Sequence, residues 1–291
     1  MTATHTHWQT TRFFIDLSRP QVMGIVNVTP DSFSDGGRNA STRAALAHCE
    51  RLVAEGADIL DIGGESTRPG ATGLAAEDEL ARVLPVLEGA LSLGVPVSVD
   101  TSEPLVMQHA LALGVDIVND VRALRRPGAL ACVAGHASAG VCLMHMRGEP
   151  DTMQSMADYA DVVAEVGTWL RQRLADVQAA GVGHGRVMLD PGIGFAKGPQ
   201  DNLRLLREQR ALAAAVPRPL LVGWSRKGTL GLITGRPVGE RLAASVAAAL
   251  AAVHHGAAVV RVHDVAATVD ALKVWQTAAE PGRPVHSITR A

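Results

Sequence analysis

Eight short runs of β-branched and aliphatic residues recur along the chain, each followed by a longer Ala- and Leu-rich stretch. The runs are 22–29 (VMGIVNVT), 58–64 (DILDIGG), 96–101 (PVSVDT), 116–121 (DIVNDV), 140–146 (GVCLMHM), 187–192 (VMLDPG), 219–225 (PLLVGWS) and 258–265 (AVVRVHDV). Helical patterns fall near 41–55, 76–92, 103–113, 127–136, 155–180, 199–214, 239–255 and 266–277. Such alternation implies parallel strands with crossover helices, because a helix must carry the chain back before the next parallel strand can begin. Eight units in 291 residues predict an α/β fold of one domain, a (β/α)8 TIM barrel. A doubly wound open sheet is the alternative pattern, but no glycine fingerprint opens the first helix.

The barrel is predicted over residues 22–277, with an N-terminal extension over 1–21 and a C-terminal tail over 278–291. In the extension, Trp8 and the Phe13-Phe14-Ile15 run predict a short hairpin that caps the barrel bottom. Hydrophobic residues at 47% and charged residues at 19% exclude disorder. A net charge of −2 argues against broad affinity for nucleic acid or an anionic membrane. No apolar run approaches the ~18 residues of a membrane helix. The polar first eleven residues lack a signal-peptide core, and three scattered cysteines read as reduced thiols, so a cytoplasmic protein is expected.

Side chains alternate along a strand, so residues two apart share a face. On that count Asn27 lines up with Met23 and Ile25, Asp61 with Ile59, Asp100 with Ser98, Asn119 with Ile117, and Asp190 with Met188. Leu221, Gly223 and Ser225 align on the seventh run, and that face continues to Lys227; on the eighth, Val259, Arg261 and His263 align. Each polar residue closes the C-terminal end of an apolar strand, where barrel enzymes build their active sites.

The residue types narrow the ligand. Asp61, Asp100, Asn119 and Asp190 supply acceptors and one amide inside an apolar barrel. A carboxylate takes a planar pair of N–H donors by two parallel hydrogen bonds, which suits a flat heterocycle with an aminopyrimidinone edge. A metal cluster is the other use of such a set. A second, basic set of Arg68, Arg226, Lys227, Arg261 and His263 points to phosphate or diphosphate. Only three of the 27 basic residues are lysines, and two of them, Lys197 and Lys227, fall in loops after the sixth and seventh strands. Lys197 reads equally as a solvated loop charge, Lys273 as a solvated helix charge, and Ser41 as an N-cap of the first helix. Two glycine-flanked loops, Thr29–Gly37 and Gly63–Gly70, are expected to act as lids over the mouth.

The segment Met23-Gly-Ile-Val-Asn-Val-Thr-Pro-Asp-Ser-Phe-Ser-Asp-Gly-Gly37 resembles the signature of dihydropteroate synthases, and so does Asp61-Ile-Gly-Gly-Glu-Ser-Thr-Arg-Pro-Gly70. Shorter matches follow in family order: Ser98–Ser102, Asn119–Val121, Leu143–Met146, Asp190–Gly192, Ser225–Lys227 and Arg261–Val265. The resemblance spans roughly residues 21–277. It implies a (β/α)8 enzyme of folate biosynthesis that joins 4-aminobenzoate to (7,8-dihydropterin-6-yl)methyl diphosphate, with Mg²⁺ as cofactor. By the family pattern Asp61, Asp100, Asn119, Asp190 and Lys227 hold the pterin, with Met144 packed on its ring. Asn27 lies near the metal. Arg68, Arg261 and His263 handle the diphosphate, with Asp35 on the first loop in the catalytic set. Thr67, Pro69, Phe195 and Ser225 lie where the aminobenzoate enters.

The resemblance also implies a homodimer through the last helices, where 242–253 is apolar nearly all round. Ala196 and Asp201 stand where the family often has Gly and His, and Glu103 stands where Lys is frequent, a difference expected at the surface. The alternatives are a corrinoid-type, pterin-binding methyltransferase domain and a pterin-binding paralogue without turnover. The methyltransferase would need neither the cationic set nor the long loops.

Overall fold

The computed structural model describes residues 6–28, 37–65, 73–149 and 151–279. Eight parallel strands close on themselves: β3 (Gln21–Asn27), β4 (Ile59–Gly63), β5 (Val97–Asp100), β6 (Ile117–Asp120), β7 (Gly140–Met144), β8 (Val187–Asp190), β9 (Leu220–Val222) and β10 (Ala257–Val262), with β10 returning beside β3. The crossovers are α1 (Gly37–Ala54), α2 (Ala76–Ala90), α3 (Pro104–Leu113), α4 (Ala129–Gly135), α5 (Val162–Ala179), α6 (Pro199–Arg207), α7 (Gln209–Ala215), α8 (Gly228–Thr234), α9 (Leu242–His254) and α10 (Val265–Ala279). This is the (β/α)8 barrel expected from the alternation.

The two faces of each strand feed separate cores. Val22, Val26, Leu60, Ile62, Val97, Val99, Val141 and Val260 point outward and pack with the helices. Met23, Ile59, Ile117, Cys142, Met188, Leu221 and Val259 point inward and fill the barrel. Burial on both sides explains why the strands read as continuous apolar runs rather than as alternations.

The N-terminal residues form an antiparallel hairpin, β1 (His7–Gln9) with β2 (Phe14–Asp16), as the Trp8 and Phe13–Ile15 pattern predicts. Trp8 and Ile15 join the inward-facing cluster from below. The Trp8 indole N–H donates to the Arg186 carbonyl at 2.8 Å. Arg12 adds a second tie: its backbone N–H, Nε and Nη2 all donate to the buried Asp116 carboxylate ahead of β6. Gly140 permits the approach, since a Cβ there would lie 3.1 Å from the Gln9 carbonyl oxygen and 3.2 Å from Trp8 Nε1.

Three expectations need correction. The seventh run is strand only over Leu220–Val222, so Gly223, Ser225 and Lys227 lie beyond it, and Lys227 precedes the additional helix α8. The stretch 199–214 is two helices, divided at Glu208, whose backbone leaves helical geometry at φ −101° and ψ 14°. Ser41 lies inside α1, not at its N-cap.

Trp8→Ala should lower unfolding stability by about 3–5 kcal/mol, because it opens a cavity and orphans a buried carbonyl. Urea titration followed by circular dichroism measures the loss. The folded variant should keep its ligand site, which lies at the other end of the barrel.

Candidate active site

The strand register sets Asn27 beside Gly63, Gly63 beside Asp100, and Asp100 beside Asn119. On the far side Met144 stands level with Asp190. Five of the predicted residues thus form one ring around the C-terminal opening. Gly63 keeps that ring open: a Cβ there would lie 3.2 Å from Asp100 Cβ.

Arg261 starts deeper, level with Met23, and its side chain crosses the interior. Its Nε donates to Asp61 Oδ2 at 2.6 Å and its Nη2 to Asp100 Oδ2 at 2.6 Å. Asn119 Nδ2 donates to the same Asp61 oxygen at 3.0 Å. Asp61 is fully buried, and its Oδ1 has no hydrogen-bond partner. Burial raises the Asp100 carboxyl above its ordinary range; Arg261 opposes that shift and Asp61 adds to it. Burial works against the Arg261 charge, but Asp61 and Asp100 outweigh it and hold the guanidinium protonated.

Across the opening, burial raises Asp190 to about 6, although its Oδ1 accepts the Gly192 N–H at 2.7 Å and Lys227 lies near. Burial lowers Lys227 to about 8, with Asp190 opposing. The Lys227 ammonium lies 4.2 Å above the Phe195 ring. Phe195 in turn packs with Met144, Met146 and Met153, forming an apolar wall for a flat ligand.

His263 follows β10 and differs from its expected role as a cation. Burial, joined by Arg226 and Arg261, lowers it to about 3, so it is neutral. The Ser225 hydroxyl accepts the His263 backbone N–H at 3.1 Å and lies 3.0 Å from Nδ1. A hydroxyl can donate once and accept twice, so Ser225 fixes the orientation of the neutral His263 ring with either tautomer. Arg226 also leaves the cationic set, because its Nε and Nη2 are engaged by Asp264. Thr67, Arg68, Pro69, Phe33 and Asp35, with the greater part of the two expected lids, 29–36 and 66–70, lie outside the described residues.

Lys197 was readable only as a loop lysine, and the structure buries it. Its Nζ donates to the carbonyls of Phe195 at 2.9 Å and Gly192 at 3.0 Å, and meets His145 Nδ1 at 2.9 Å. Burial lowers it to about 7. Asp201 accepts the Gly198 N–H at 3.1 Å, so it caps α6. Glu103 is no free surface charge either; it pairs with Arg126. The described non-glycine residues with left-handed backbone are Ala123, Leu124, Ala196 and Arg226, all in loops that follow β6, β8 and β9. Each costs about 1–2 kcal/mol, and such strain gathers where a site must hold a fixed shape.

Comparison with known proteins agrees with this geometry. The family model described as "Pterin binding enzyme" matches residues 23–263. The chain is 55% identical over 276 residues to the dihydropteroate synthase of Neisseria meningitidis serogroup B, covering 92% of this chain and 96% of that one. It belongs to the dihydropteroate synthase family. Two solved members superpose closely. The Xanthomonas albilineans dihydropteroate synthase with 4-aminobenzoic acid has a TM-score of 0.88 and 49% identity, covering 96% of this chain and 100% of its own. The Burkholderia cenocepacia dihydropteroate synthase complexed with 7,8-dihydropteroate has a TM-score of 0.86 and 48% identity, covering 94% and 96%.

For a dihydropteroate synthase with these residues, affinity for a pterin lacking the diphosphate should peak between pH 7 and 8. Below about 7 Asp100, and below about 6 Asp190, gains a proton and loses its acceptor role. Above about 8, Lys227 loses its charge. Calorimetric titrations from pH 5 to 9 read both limbs, and Asp190→Asn should lower the affinity and remove the lower part of the acid limb.

Proposed function

We propose that this transferase joins 4-aminobenzoate to (7,8-dihydropterin-6-yl)methyl diphosphate, releasing 7,8-dihydropteroate and diphosphate in folate biosynthesis, with the residue roles given below. The observation that carries the reading is the Asp61–Arg261–Asp100 cluster. It is a buried set of paired charges in which Asp61 also accepts the Asn119 side-chain N–H.

The pterin edge presents neighbouring N–H donors, which Asp100, Asn119 and Asp190 would accept, with Met144 against its face. As the bond from the methylene to the diphosphate oxygen lengthens, positive charge spreads into the ring. Carboxylates fixed beside the ring favour that charge without having to reorganise. Arg261 and His263 lie two residues apart at one strand end, so one phosphate-rich group can reach both. The aniline nitrogen of 4-aminobenzoate then attacks the methylene, and its proton leaves to solvent or to a phosphate oxygen. Phe195 and Ser225 form the described part of the proposed aminobenzoate entrance, which takes Thr67 and Pro69 as well, while Lys227 holds the pterin and Arg68 the diphosphate. Asp35 remains part of the proposed catalytic set.

Mg²⁺ is proposed as an ion that arrives with the diphosphate. Among the described residues, no three His, Cys, Asp or Glu side chains converge on a metal position. Mg²⁺ commonly keeps waters and substrate phosphate oxygens and takes only one or two protein groups. Asn27, half-buried at the end of β3, offers one such oxygen. When bound, the ion would offset negative charge on the leaving diphosphate.

The full-length kinship with dihydropteroate synthases favours this reading over a corrinoid-type methyltransferase domain. The cytoplasm is the proposed compartment. Cys49, Cys132 and Cys142 are free, which suits a reducing environment. No helix among the described residues is long and apolar enough to cross a membrane. A homodimer is proposed through α8 and α9. Leu232, Ile233, Val238 and Leu242 are exposed there, at 72%, 58%, 56% and 47%, whereas the opposite side of α9 is buried against the barrel.

Two measurements test these roles. Chromatographic detection of 7,8-dihydropteroate, with and without Mg²⁺, should show product only when both substrates are present. Asp100→Asn should cut kcat by about 100-fold or more while melting normally; near-normal turnover removes Asp100 from the mechanism. In sedimentation velocity the wild-type chain should run as a dimer and Leu232→Glu as a monomer.

A further inference from the structure

The Lys197 side chain ends in a pocket built from two loops. Its ammonium meets four acceptors: the carbonyls of Phe195, Gly192 and His145 at 2.9, 3.0 and 3.3 Å, and His145 Nδ1 at 2.9 Å. Lys197 is 3% exposed and Ala196 is fully buried. An ammonium has only donors, and here three hydrogens face four lone pairs. His145 belongs to the chain after β7 and Gly192 to the chain after β8, so the contact joins the ends of two neighbouring strands. Burial, with the Lys197 and Arg147 charges adding, lowers His145 to about 2, which keeps its ring neutral and able to accept.

The backbone shows what this contact holds. Ala196 sits at φ +51°, in the left-handed region that a residue with a Cβ avoids. Gly192 and Gly194 are left-handed too, at φ +70° and +80°. A Cβ on Gly192 would fall 2.0 Å from the His145 carbonyl oxygen, so the two loops touch directly. With three such residues in five, the loop would relax unless its carbonyls were held inward. Asn202 secures the other side, with Oδ1 on the Gly194 N–H at 2.8 Å and Nδ2 on the Lys197 carbonyl at 3.3 Å. The Phe195 ring lies beneath the Lys227 ammonium, 4.2 Å from it.

We infer that Lys197 is a positioning residue: as an internal hydrogen-bond donor it gathers the carbonyls of the 192–197 loop and thereby sets the Phe195 ring against Lys227, where the second substrate binds. It touches neither substrate. The inference rests on the proposed place of 4-aminobenzoate beside Phe195, and the test below separates the two.

Lys197→Met keeps the length and apolar stem and removes every donor. The KM for 4-aminobenzoate should rise about tenfold or more, with the KM for the pterin diphosphate within about twofold of wild type, as when binding of one ligand alone is weakened. Adding Ala196→Gly to Lys197→Met should restore several-fold of the lost aminobenzoate KM, because glycine reaches left-handed backbone without strain. Phe195→Ala is the control for the underlying reading: an unchanged aminobenzoate KM in that variant overturns the place of the substrate, not the clamp. The clamp itself is overturned if Lys197→Met leaves both KM values unchanged, if both rise together, or if the Ala196→Gly addition restores nothing. A Lys197→Met chain that does not fold overturns it as well, since Lys197 would then be a folding residue.

Discussion

Arg261 sits between two carboxylates in the middle of a barrel, and much of the structure depends on that contact. Asp61 is separated from it by 200 residues and Asp100 by 161. The guanidinium can reach both only when the last strand returns beside the first, so ring closure and charge pairing are one event. Burial and the neighbouring Asp61 charge both push the Asp100 carboxyl up, and Arg261 opposes them. Removing one partner of such a buried set commonly costs about 3–5 kcal/mol, because the remaining charges are left unanswered. The same contact sets the Arg261 charge against Asp100 in a space otherwise lined by Met23, Ile59 and Met188, where it opposes the upward push of burial on that carboxyl. A stability cost in the barrel thus maintains the electrostatics that the chemistry uses.

Much of this was legible in the chain, because the period of two along a strand survives any change of packing. Asn27, Asp100, Asn119 and Asp190 share the ring that alternation predicts. The hairpin was legible from Trp8 beside a short apolar run. Less legible were features decided by three-dimensional neighbours. The 219–225 run reads as seven residues of strand because its residues suit both faces, yet pairing ends at Val222 and the chain turns through left-handed Arg226. The eighth-strand histidine reads as a cation; only its depth beside Arg226 and Arg261 makes it neutral. Glu103 resembles a surface change until Arg126 is placed beside it. Nothing in the local sequence distinguishes Lys197 from a solvated lysine. Its scarcity flagged it, and one of the carbonyls that hold it, that of His145, lies 52 residues away in the chain.

The loops around the opening hold their shape by local bonds, not by mass of core. Asp120 accepts the N–H groups of Arg122 and Leu124 and the Ser102 hydroxyl, while Arg173 donates to the carbonyls of Ala123 and Leu124. Ser245 accepts the Arg226 N–H, and Arg241 donates to the Arg226 carbonyl. Each left-handed residue is therefore flanked by side chains that bind its peptide groups, and Lys197 does the same for Ala196. Glycine would reach these conformations without strain, but with more freedom to leave them.

The Trp8 plug has a consequence for movement. With every strand paired to its neighbours and the lower end filled by the hairpin, the barrel has one doorway. A vessel of that kind works as a stack, not as a corridor. With a pterin placed as proposed on Asp61 and Asn119, it would have to enter before a molecule above it at Phe195, and could leave only after that molecule had gone or had become joined to it.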